Sequence, residues 1–138
     1  MTNMTNAMAA YGIARRAQSP LKVVVELYDV TLTAVARAKA QRMMGNVEKE
    51  FEALRTAAKI LSELSSCLNM TDEAARPLSE ELRRYYQRVL RQLHAAKRTR
   101  GDAGIEGYSS VHRQILSMRE AWAEIAGVSP LVVAVAAQ

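Results

Sequence analysis

The stretch at residues 17–35, AQSPLKVVVELYDVTLTAV, decides how this chain must fold. Ser19 is a good N-cap, and Pro20 suits the first helical position, where its missing N–H is no loss. Apolar residues then recur at helical spacing, but in two stripes rather than one. Leu21, Val24, Tyr28, Leu32 and Val35 form the first, and Val23, Leu27, Val30 and Ala34 form the second. A surface helix needs a single apolar stripe to face its core. The second stripe must be covered either by the rest of the chain or by a partner, and the pattern alone leaves those two readings equal.

Working outward, 138 residues suit one domain with a sizeable core. Only six glycines, three prolines and 5% aromatic residues are present. An all-β domain needs turn residues and β-formers at short intervals, so the composition points to helices. Cys67 stands alone, which excludes a disulfide framework and a cysteine metal site. The first residues carry no basic segment ahead of an apolar run, and no apolar run approaches the ~20 residues of a membrane span. The expectation is a soluble chain in the cytoplasm.

Four helical segments follow from the spacing. The first runs from Pro20 to about Met43 and stops at Gly45, which suits the left-handed position after a helix. Asn46 caps the second, whose seam is Val47, Phe51, Leu54, Ala58, Leu61, Ser65 and Leu68, with Ile60, Leu64 and Cys67 beside it. The third extends from about Pro77 to Thr99, and its N-cap is unclear because Arg76 is a poor one. The fourth begins between Ile105 and Ser110 and ends at Gly127, the glycines of GDAGIEG before it reading as a flexible connection. The expected fold is all-α, an antiparallel up-down-up-down four-helix bundle over residues 19–127. A loose N-terminal arm (1–18) and a short apolar tail (128–138) flank it.

Nothing in the chain pairs a nucleophile with a base. His94 and His112 have no Glu-x-x-His pattern of the kind that builds metal sites in bundles. The reading is therefore no enzyme, no cofactor and no metal. Net charge is +5, and Arg83, Arg84, Arg88, Arg91, Lys97, Arg98 and Arg100 follow one another without an intervening acid. Such a run is favourable at a helix C-terminus and reads first as a solvated face. A basic bundle that binds nucleic acid or another anionic partner is the alternative; it predicts steep salt dependence, but no binding-module signature supports it. What stands out is apolar surface: the second stripe, the residues beside the second seam, and the tail VSPLVVAVAAQ.

The pattern Y-x7-SP-x-K-V-V-x-x-LYD, from Tyr11 through Ser19, Pro20, Lys22, Val23, Val24, Leu27, Tyr28 and Asp29, resembles the opening signature of the flagellar secretion chaperones that bind flagellin. Gly45-Asn46, the segment ILSELSSCLN and Trp122 agree more loosely. Two positions depart from that family's pattern. Val30 stands where Gly usually follows Leu-Tyr-Asp, and LNMTDEAARP replaces a loop with Leu-Asp and a Gly pair.

The resemblance implies a chaperone that holds the disordered C-terminal segment of flagellin in an apolar groove, prevents premature polymerisation and delivers it to the flagellar export gate. Recognition would be helix-in-groove with coupled folding. It assigns the groove to Val23, Leu27, Val30 and Ala34, with Ile60, Leu64 and Cys67 from the second helix, and gives Tyr28 and Asp29 a local anchoring role. Tyr11 and Ile13, with Met4 and Met8, would form an arm that occupies the groove until the client arrives. A homodimer that hides the second stripe is a third reading.

Overall fold

The computed structural model describes residues 2–12 and 19–131. Among these are five α-helices and no strand: α1 (Thr2–Ala10), α2 (Ser19–Met43), α3 (Val47–Ser66), α4 (Arg76–Arg98) and α5 (Asp102–Ala126). α2 packs along α3 on one side and α5 on the other; α4 closes against both, and α1 lies on α4. The first stripe of α2 is the core stripe, with Leu21, Val24, Tyr28, Leu32 and Val35 all buried. Because α2 has two helical neighbours, its buried arc is wider than one stripe and also takes in Val25, Thr31, Ala34 and Ala38.

The turn between α2 and α3 has the expected chemistry. Gly45 adopts φ +75°, where a side chain would be strained, and the Asn46 side chain accepts from the Lys49 N–H at 3.1 Å. Beside this turn, Arg42 gathers four helix ends. Its guanidinium donates to the carbonyls of Ala96 at 2.9 Å and Lys97 at 2.7 Å, in the last turn of α4, where the carbonyls lack helical partners. It also pairs with Glu50 at 3.4 Å in the first turn of α3, and lies over the Tyr108 ring of α5. Tyr108 donates its hydroxyl to the same Glu50 carboxylate at 2.6 Å. A second ion-pair cluster joins α5 to α2 nearer the other end. There Arg119, 3% exposed, donates to Asp29 at 2.8 Å, to Glu120 at 2.8 Å and to the Ser129 carbonyl at 2.8 Å.

Two expectations are corrected. The arm is not loose over its first residues: Thr2–Ala10 is helical, and Ala7, Met8 and Ala10 are buried. A nine-residue helix is marginal alone, so packing on α4 and the bond from the Asn69 N–H to the Ala10 carbonyl hold it. The last helix begins at Asp102, inside the stretch expected to be a flexible connection. Its glycines serve close approach instead: a Cβ on Gly107 would meet the Ala96 Cβ at 2.8 Å, and one on Gly104 would collide with the Arg42 guanidinium and the Thr99 carbonyl. In keeping with the unclear N-cap of the sequence, α4 begins at Arg76 without a side-chain cap. The preceding loop is ordered by its own polar residues. Asn69 Oδ1 accepts from the backbone N–H groups of Thr71 and Asp72, and Asp72 Oδ1 from that of Ala74.

Candidate functional site

The second stripe of α2 borders α3. A small cleft of about 410 Å³ at one end of that seam is lined by Arg37 and Gln41 of α2 and by Lys49, Glu52, Ala53 and Thr56 of α3. Moving toward the start of α2 by heptads, the same ridges carry Val30 and Val23, and Ala34 and Leu27. Moving along α3 from Ala53, the ridge carries Ile60 and Cys67. Val23 is 51% exposed and Val30 48%, while Leu27 and Ile60 are half-buried against the core. Cys67, the C-cap residue of α3, is exposed. By this spacing Val23, Leu27 and Val30 fall on the side of α2 toward α3 and Ile60 on the side of α3 toward α2, with Val23, Val30 and the C-cap Cys67 open to solvent.

Two residues assigned to the groove sit beneath that surface. Ala34 and Leu64 are buried and support it from within the core. Tyr28 is fully buried, and its hydroxyl meets the Tyr86 hydroxyl at 2.7 Å. Tyr86 in turn bonds to the Tyr11 hydroxyl, and the Tyr11 ring stacks at a tilt on Trp122, centroids 5.4 Å apart. A column of three hydroxyls therefore links the residue after α1 to α4 and α2. Burial pushes all three phenols up from the usual tyrosine value, so they remain neutral donors and acceptors. Asp29 is half-buried and anchors locally through Arg119. Ile13 lies outside the described residues.

A larger cleft lies elsewhere. About 1130 Å³ opens between α1, α4 and α5 over an apolar floor of Ala7, Leu78, Leu82, Met118, Trp122 and Ile125, with Arg76, Glu80, Glu81, Arg84 and Glu124 at its rim. Past Met118 and Ala121 it continues along the α4–α5 seam to Tyr85, Arg88 and Gln114. The helical period does mark Leu78, Met118 and Ile125, but as inward residues. Only the position of α1 makes them the floor of a cleft, and no local signal predicts where α1 lies.

His112 is half-buried, which with the Lys39 charge pushes its pKa down, and His94 is exposed on α4. No group of three or more His, Cys, Asp or Glu that could hold a metal occurs among the described residues, and no described helix is long and apolar enough to cross a membrane. What the arrangement can do is bind: it offers rigid helices, an open apolar seam and a long cleft.

No curated protein matches the chain. A family model does, over residues 4–129, which span α2 to α5 entirely together with most of α1; its description is flagellar protein FliS. With nearly the whole chain matched, the protein belongs to the FliS flagellar protein family, a family of flagellar export chaperones.

Proposed function

We propose that this chaperone takes the C-terminal segment of flagellin as its client, holds it along the α2–α3 seam in helical form, and so keeps it from polymerising before delivery to the export gate. The observation that carries this reading is the exposure of Val23 and Val30 on the α3-facing side of α2, with Leu27 and Ile60 only partly buried. An amphipathic segment laid there would bury several Val, Leu and Ile side chains, at about 1.5–3 kcal/mol each when fully covered. Ordering a disordered client is costly, so a long surface with many modest contacts is needed. We also read α2–α5 as an antiparallel up-down-up-down bundle. The meeting of the C-terminal ends of α2 and α4 with the N-terminal ends of α3 and α5 around Arg42 supports that topology. Ala34, Leu64 and Tyr28 then act by shaping the seam from below, and Tyr11 by tethering the arm.

The test is calorimetry with a peptide of the flagellin C-terminal segment. Wild-type protein should bind with a negative heat-capacity change and weak salt dependence. Leu27→Asp should weaken binding at least about tenfold. Val23→Asp, at a position already exposed, should do so without changing the circular dichroism. No measurable heat, or unchanged affinity in both variants, would sink the seam assignment.

A further inference from the structure

A second exposed apolar patch lies away from that seam, at the end of the molecule made by the α2–α3 turn. Met43 is 65% exposed, Met44 73%, Val47 65% and Phe51 51%. These four side chains succeed one another across the turn at Gly45, with Val47 and Phe51 one helical turn apart on α3. Contiguous large apolar side chains in water mark an interaction surface. Cations frame this one. Arg42 holds the carbonyls of Ala96 and Lys97, which brings the C-terminus of α4 beside the turn, and the Lys97 ammonium lies over the Phe51 ring, 5.7 Å from its centroid. Arg98 and Arg100 are exposed just beyond, and neither has an ion-pair partner among the described residues. Lys49 adds a further exposed cation, while Glu48, Glu52 and Asp102 are the exposed acids nearby in sequence.

We propose that this end of the bundle docks on an anionic phospholipid surface, with Met43, Met44, Val47 and Phe51 entering the headgroup region while Lys97, Arg98 and Arg100 meet the lipid phosphates. Three observations select this occupant. The patch is apolar and cationic together, the combination that an interface with anionic headgroups above hydrocarbon rewards. It forms the turn at one end of the bundle, and its four apolar side chains, Met43, Met44, Val47 and Phe51, line none of the clefts described above. A fluid surface needs none, and flexible methionines adapt to it. A second copy of the chain is disfavoured by charge, since face-to-face packing would set Lys97, Arg98 and Arg100 against their own counterparts. Nucleic acid would use the cations but leave four large apolar side chains in water. The surface is separate from the α2–α3 seam and does not depend on the flagellin reading.

The experiment is co-flotation of the purified full chain with vesicles of phosphatidylcholine containing about three-tenths phosphatidylglycerol, against vesicles of phosphatidylcholine alone. Retention on the anionic vesicles should exceed that on neutral ones by about tenfold and fall as salt is raised. Met44→Ser with Phe51→Ser should reduce it severalfold, and so should Arg98→Gln with Arg100→Gln. All four positions are exposed, and an unchanged far-ultraviolet circular dichroism spectrum verifies folding. Val23→Asp, in the seam, should float like wild type. Equal retention on both vesicle types, retention indifferent to the apolar pair, or capture by single-stranded RNA with none by vesicles would each overturn the proposal.

Discussion

Replacing Arg42 by alanine should lower the unfolding free energy by about 3–5 kcal/mol, the range for removing one partner of a buried ion pair. The reason is what the substitution leaves behind. Glu50 is 3% exposed, and without Arg42 its carboxylate keeps only the Tyr108 hydroxyl as a hydrogen-bond partner. The Ala96 and Lys97 carbonyls lose their side-chain donor at the same stroke. Arg42→Lys should recover only part of the loss, because a single ammonium cannot serve two carbonyls and a carboxylate as the planar fork does. Arg42→Met combined with Glu50→Gln should be less damaging than Arg42→Ala, since no charge is then stranded. Urea unfolding of the four proteins checks this. An Arg42→Ala midpoint close to wild type would mean the cluster contributes little.

Raising the pH well beyond 10 should unfold the protein cooperatively. All five tyrosines have pKa values pushed above the usual 10.0, with burial as the largest cause, and Glu50 adds to the effect at Tyr108 through its hydrogen bond and charge. Below about pH 10 the phenols are neutral whether the chain is folded or not, and their contribution is fully present. Above it the unfolded chain releases protons that the folded chain retains, so stability falls by about 1.4 kcal/mol per pH unit for each such group. Tyr28, Tyr86 and Tyr108 are 0% exposed. Together these three cost about 4 kcal/mol per unit, against a typical total of about 5–15 kcal/mol. Tyrosinate absorbance and helical circular dichroism should therefore change in one step. Stepwise ionisation of the phenols with the helices intact would contradict it.

The helical period carried much of the fold, and its failures have physical causes. It identified the core stripe of α2 because that stripe faces the middle of the molecule. It could not say how far α3 would cover the second stripe. Small Ala34 is buried while Val30, four residues before it on that stripe, stays half open. Gly104 and Gly107 argue locally against helix, yet they lie in α5 because the neighbouring backbone and Arg42 leave no room for a side chain. α1 is too short to announce itself and exists by packing. The hydroxyl column of Tyr11, Tyr86 and Tyr28 joins three distant segments, which no local pattern reveals. The basic end of α4 was visible as a partner for its own helix dipole. The reach of Arg42 from α2 into that same end was not.

α2 is fastened in rotation at two places along its length. Tyr28 and Asp29 engage Tyr86 and Arg119, and about thirteen residues later Arg42 engages α4, α3 and α5. Each added or deleted residue turns the downstream part of the helix by about 100° and shifts it by about 1.5 Å. A single-residue insertion or deletion anywhere between Asp29 and Arg42 therefore leaves one fastening facing the wrong neighbour. Length variation in this protein should be confined to its loops, above all residues 67–75, while the distance from Asp29 to Arg42 acts as a fixed ruler.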